Sequence, residues 1–176
     1  MKRNHWYVVT GGPCSGKTTL LQYLEKIGYA VKYEAARQLI DAELKKGKTL
    51  AAIRKNEQKF QKKVLHMKVN QESKLPTQQL FFFERGIPDS IAYYQLCGIH
   101  YDVTLQQYVR NCWYRKVFIL NLLNYEQDYA RTENVTQVKR LDKLLEKSYA
   151  DIGMSIQRIP ALTVVERAEL IIRSLT

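Results

Sequence analysis

The chain has 176 residues, 45% of them hydrophobic, and a net charge of +11 at neutral pH. That length and apolar content suit one α/β domain with a buried core, and they exclude wholesale disorder or a low-complexity chain. The charge suits polyanionic partners such as nucleotides, nucleic acid or an anionic membrane face, without choosing among them.

Residues 6–10 read as a first strand that stops at two glycines. Residues 18–27 read as a helix with Leu20, Leu21, Leu24 and Ile27 on one stripe, ended by Gly28. A weaker, half-polar strand over 29–33 leads into a helix over 35–45. After Gly47, residues 50–69 read as one long helix with Ile53, Phe60, Val64 and Met67 inward. The strand over 80–83 is four bulky apolar residues ending at Glu84. A helix from Asp89 to Gly98 and a shorter one over 104–111 precede the strand over 117–120. The polar segment 125–134 gives way to a clean helical stripe of Val135, Val138, Leu141, Leu144, Leu145 and Tyr149. A strand over 155–159 and a helix over 164–175 complete the chain. This alternation predicts a mostly parallel sheet with helices on both faces, in a single domain over 1–176. The apolar runs are of buried-strand length, so no transmembrane segment is expected. Cys14, Cys97 and Cys112 are odd in number and lack CxxC spacing. They argue for a reducing compartment, and the cytoplasm is the expected location.

Gly11-Gly12-Pro13-Cys14-Ser15-Gly16-Lys17-Thr18 matches the phosphate-loop pattern G-x-x-x-x-G-K-[ST], with a strand leading in and a helix leading out. The glycines allow a tight turn, and the loop's bare amides at a helix N-terminus form an anion nest. Lys17 would place a point charge on the β- and γ-phosphates of ATP or GTP. The Thr18 hydroxyl would ligate Mg²⁺, which prefers hard oxygens. Cys14 reads either as an oxidisable thiol or as a small loop filler.

Glu84, at the end of an apolar strand, is the candidate Mg²⁺-side acid, with Arg85 beside it to reach a phosphate or to pair with it. Glu34 ends the second strand. It reads equally as a general base on an acceptor hydroxyl or as a structural residue, either a helix N-cap or a salt-bridge partner of Arg37. Arg37 itself is an expected acceptor contact. Asp89 either caps the following helix or lines the acceptor pocket. Arg131 lies in a polar loop suited to close over phosphates as an arginine finger supplied in cis, giving an expected lid over 122–134. From Lys45 to Lys68, nine basic residues face one acid, Glu57. That stretch reads as a solvated helix face, or more sharply as a docking surface for acidic lipid or RNA.

Several segments fall together in order: 11–19, Glu34-Ala35-Ala36-Arg37, Glu84-Arg85-Gly86-Ile87-Pro88-Asp89-Ser90, Tyr125-x-x-Asp128-x-x-Arg131-x-Glu133 and Val165-Glu166-Arg167-Ala168. This ordered set resembles the small "AAA-type predicted ATPase" family of kinase-like P-loop proteins. That family is related to the ribosylnicotinamide kinase domain of a bacterial NAD regulator and to the insect TRPL translocation defect protein. The resemblance implies a three-layer P-loop fold of nucleotide-kinase type with a five-stranded core and a lid. It also implies nucleotide contacts from Gly11 to Thr19, a metal-side acid at Glu84 and a lid contact at Arg131. The family usually carries Asp-Arg-Gly where this chain has Glu84-Arg85-Gly86. Glu-Arg at this strand end is similar to deoxynucleoside kinases, which also place a base glutamate where Glu34 stands. The expected activity is Mg²⁺-dependent phosphoryl transfer from ATP or GTP to a small, nucleoside-like hydroxyl acceptor. The rival expectation is a nucleotide-dependent ATPase or GTPase module that docks through its basic helix on acidic lipid or a protein partner. An RNA-end kinase is a third.

Overall fold

A computed structural model of the chain describes residues 5–123 and 135–175. The strands β1 (Trp6–Thr10), β2 (Ala30–Lys32), β3 (Phe81–Glu84), β4 (Lys116–Leu120) and β5 (Ile156–Ile159) form one sheet in the order β2-β3-β1-β4-β5. Every neighbouring pair is parallel, with Val9 opposite both Glu84 on β3 and Phe118 on β4. Eight helices accompany them among the described residues: α1 (Lys17–Lys26), α2 (Ala35–Leu44), α3 (Leu50–Arg54), α4 (Glu57–Glu72), α5 (Asp89–Leu96), α6 (Val103–Asn111), α7 (Val135–Ala150) and α8 (Val164–Ile172).

The central strands are apolar along nearly their whole length, with Thr10, Glu84 and Lys116 at strand ends, because both of their faces are covered. Alternation along the pleat divides them cleanly. Trp6, Val8, Phe81, Phe83, Val117 and Ile119 face a core closed by Leu65, Tyr94, Leu105, Val109, Tyr114 and Tyr149 from the α4–α7 side. Tyr7, Val9, Phe82, Phe118 and Leu120 face the opposite core, closed by Leu20, Leu21 and Leu24 of α1 and by Ala168 and Ile171 of α8. The half-polar second strand is an edge strand, short and only partly buried.

The helix expected over 50–69 is two helices. α3 ends at Arg54, and Asn56 begins α4 by accepting a side-chain hydrogen bond from the Lys59 amide at 2.9 Å. An asparagine in this role offers the chain a local alternative to helix continuation, so the apolar spacing carries across a break that periodicity alone does not register. Beyond it α4 runs on to Glu72, three residues past the expected end. Between α2 and α4 a small separate cluster forms from Ala35, Ile40, Phe60 and Val64. It becomes one wall of the site. The expected lid falls almost wholly on residues 124–134, outside the described residues, and Arg131 with it.

Candidate active site

Parallel strands gather their carboxyl ends along one edge of the sheet, and the candidate residues collect there. The loop from β1 to α1 needs a backbone that side chains would obstruct. Gly11 has φ 140°, and a Cβ there would stand 2.6 Å from the Leu120 carbonyl oxygen; Gly16, the N-cap of α1, is left-handed at φ 79°. Lys17, the first residue of α1, folds back over the loop. Its Nζ donates to the Gly12 carbonyl at 2.8 Å and to Ser15 Oγ at 3.3 Å. Burial, and then the neighbouring Arg85, push its pKa down to about 8.

Thr18 turns the other way. Its hydroxyl donates to Glu84 Oε1 at 2.6 Å, so the two residues expected on the metal side meet across the space between β1 and β3. Burial raises the Glu84 carboxyl, Glu34 adds to the rise, and Lys17 opposes it. A hydroxyl and one carboxylate are a suitable donor pair for Mg²⁺, which takes one or two protein oxygens and completes its shell with water and phosphate. Among the described residues no cluster of three His, Cys, Asp or Glu side chains forms a dedicated metal cage.

Arg85 follows β3 directly and adopts φ 66°, rare for a residue with a side chain. Its amide donates to the Val9 carbonyl at 3.1 Å, which fixes the turn. The guanidinium comes back along the sheet edge. Nε donates to Glu34 Oε1 at 2.9 Å, Nη1 donates to Asp89 Oδ1 at 3.2 Å, and the group lies over the Tyr93 ring at 5.1 Å. Burial disfavours the charge on Arg85, but Tyr93, Glu34 and Asp89 together hold it well above the ordinary range. Burial likewise works against the Glu34 carboxylate. Arg85, Lys17 and Lys68 outweigh it and leave the Glu34 pKa lowered.

Asp89 departs from the expectation that it line an acceptor pocket. It is fully buried. It accepts from Thr10 Oγ1 at 2.5 Å, from the Gly86 amide at 2.9 Å, from Arg85 and from the Tyr149 hydroxyl. It orients Arg85 from behind, and the residue before α5 is Pro88. Ser15 is also wholly interior, donating to the Gly12 carbonyl at 2.9 Å.

One cavity joins these groups. Its loop end is lined by Pro13, Cys14, Gly16, Lys17, Thr18 and Thr19, and its floor by Glu34, Glu84 and Arg85. The far end is Ala36, Arg37, Ile40, Arg54, Phe60, Gln61 and Val64, with Lys68 and Tyr93 at the side. Two of these contributors did not stand out in the sequence as site residues: Lys68 and Gln61. Lys68 belongs to the stretch read as a solvated or docking face, and that reading fails for it. It is 5% exposed and donates to the Gly86 carbonyl at 2.8 Å. The signal was its place four residues after Val64 on the apolar stripe of α4. Arg54 also turns inward, bonded to Glu57 at 2.9 and 2.7 Å and lying over Phe60. Behind the cavity two tyrosine hydroxyls accept backbone amides, Tyr149 from Gly86 at 3.1 Å and Tyr114 from Ile87 at 2.9 Å.

With this geometry in hand, an AAA domain family model matches residues 6–167. The chain belongs to the AAA domain family. No curated protein matches it. Solved structures share the fold across this AAA domain. Deoxyadenosine kinase from M. mycoides, with dCMP and dCDP bound, superposes with a TM-score of 0.68 at 17% identity, over 97% of this chain and 98% of that one. Thymidylate kinase from Ehrlichia chaffeensis gives 0.67 at 16% identity, over 97% and 98%. The NadR protein in complex with NR gives 0.66 at 12% identity, over 89% of this chain and 44% of that one. The five-stranded parallel sheet with helices on both faces is therefore a nucleoside-kinase-like P-loop fold. No helix among the described residues is long and apolar enough to cross a membrane.

Proposed function

We propose that this AAA domain is a Mg²⁺-dependent kinase that transfers the γ-phosphoryl group of ATP or GTP to a hydroxyl of a nucleoside-like acceptor. The observation that carries this reading is the single cavity in which the Glu34–Arg85 pair stands beside Lys17 and the Thr18–Glu84 pair. A nucleotide switch has no need of an ionised carboxylate held by an arginine next to its phosphate loop. The deoxyadenosine kinase of the same fold binds dATP and dCTP, which supports a nucleotide substrate.

In this mechanism the amides of Gly11, Gly12, Cys14, Ser15 and Gly16, with Lys17, cradle the phosphates, and Arg131, outside the described residues, would supply a further cation. Mg²⁺, held by Thr18 and Glu84, supplies charge neutralisation on the triphosphate when bound. Arg85 holds Glu34 Oε1, leaving Oε2 to take the proton of the acceptor hydroxyl. The acceptor oxygen forms its bond to the γ-phosphorus as the bridging P–O bond breaks, and the nucleoside diphosphate leaves. Ile40, Phe60 and Val64 would cover an apolar, ring-bearing acceptor, with Arg37 and Gln61 at its edge.

The test is turnover with Mg²⁺-ATP and Mg²⁺-GTP over a panel of nucleosides, ribosylnicotinamide and short RNA ends, with an acceptor-free control. Acceptor-stimulated transfer is expected. Glu34→Gln should lower it about 10²–10⁴-fold while triphosphate binding survives. Slow, acceptor-independent hydrolysis across the whole panel would overturn the kinase reading. It would favour the docking module, for which the exposed Lys55, Lys59 and Lys63, four residues apart, are the one supporting observation.

A further inference from the structure

Arg167, on α8, is the largest fully buried side chain among the described residues, at 2% exposure. Its guanidinium makes three hydrogen bonds, and every acceptor is a neutral backbone carbonyl. Nη1 donates to Ser15 at 2.5 Å, Nη2 to Asn121 at 3.2 Å and Nε to Pro160 at 2.9 Å. Among the described residues no carboxylate pairs with it. A buried charge without an opposite charge is costly, and folded proteins seldom keep one. Its position suggests what supplies the anion. Ser15 belongs to the phosphate loop, while Asn121 and Pro160 follow β4 and β5. A Cβ on Gly16 would stand 3.4 Å from Arg167 Nη1, so the guanidinium rests against the back of the loop whose front receives phosphate.

We propose that Arg167 holds its charge behind the phosphate loop and that its missing counterion is the triphosphate bound in front. Nη1 holds the Ser15 carbonyl and so keeps the charge directly behind the loop. The charge then adds to the loop's own positive field through a wall one backbone thick, where solvent screens it little. Such a site is incomplete when empty and neutralised when loaded. This inference rests on the loop's binding a nucleoside triphosphate, and it is indifferent to whether phosphoryl transfer follows.

Arg167→Lys and Arg167→Gln both lose the three-carbonyl fork, but only the lysine keeps the charge. Calorimetric titration with Mg²⁺-ATP and Mg²⁺-GTP is the measurement. The Gln variant is expected to bind at least about tenfold more weakly than wild type, and the Lys variant within about threefold. Equal weakening of both variants would mean a structural brace alone and would overturn the proposal, as would wild-type affinity in the Gln variant. Should the Gln variant not fold, the Lys variant decides: affinity within about threefold sustains the proposal and a tenfold loss overturns it. A wild type that binds neither triphosphate defeats the reading of the loop itself, and the counterion proposal with it.

Discussion

Glu72 shows what burial does to a single carboxyl. It lies at the end of α4, accepts a hydrogen bond from the Tyr114 hydroxyl at 2.7 Å, and is pushed by burial up to about 7. The folded chain therefore keeps a proton that the unfolded chain gives up near pH 4.5. The resulting stability is fully present below that pH and is lost as pH rises through 7, at a cost of about 3 kcal/mol. Urea midpoints taken between pH 4.5 and 8 should fall accordingly, and Glu72→Gln should flatten the slope. A wild-type profile that rises over this window would contradict the placement. Lys17 titrates in the opposite sense for ligand binding. With its pKa near 8 in the empty site, triphosphate binding above pH 8 should take up a proton, seen as a buffer-dependent calorimetric enthalpy. Glu72 was not legible as a special residue. Its partner Tyr114 stands 42 positions away, and no local pattern links them.

Elements were legible where the sequence encodes them locally. All five strands lie within two residues of their expected bounds, because continuous apolar runs between breakers are short-range signals. The phosphate loop was legible for the same reason, since its eight residues are contiguous and each has a steric or electrostatic task. The division of α3 from α4 was not, although Asn56 was visible; a cap is distinguishable from a surface polar residue only once the helix start is known. The turn after β3 depends on contacts still further off. Gly86 sits under two aromatic side chains, so that a Cβ would lie 2.8 Å from the Tyr149 hydroxyl and 2.9 Å from the Tyr114 ring. Gly86→Ala should destabilise the fold by about 1–3 kcal/mol and shift Arg85 and Lys68 together. A denaturation midpoint equal to wild type would show that Tyr149 and Tyr114 yield more easily than close packing implies.

At the scale of the molecule, the site stands where β1 and β3 end side by side, with Glu34 after β2 beside them, so a ligand there touches the body of the sheet rather than a peripheral unit. Ligand binding and global unfolding should then be coupled. Mg²⁺-ATP or Mg²⁺-GTP at a hundred times its Kd contributes about 2.7 kcal/mol, a rise in Tm of roughly 5–10 °C for a chain of this size. Lys17→Ala should abolish that rise, and an equal rise in both proteins would remove the loop from the binding site. The basic stretch affects this scale less than its charge suggests. Lys46 and Lys48 pair with Glu43, Lys62 with Asp102 at 3.0 Å, and Arg54 and Lys68 point inward.

The contact between Arg167 and Ser15 spans 152 positions of sequence. During synthesis the loop is made before its rear support, which follows only with α8. At about 5–20 residues per second that interval is on the order of 10–30 s. Until it closes, the nascent chain carries the motif without the charge behind it. If the counterion proposal holds, nucleotide should bind at full strength only once α8 is in place.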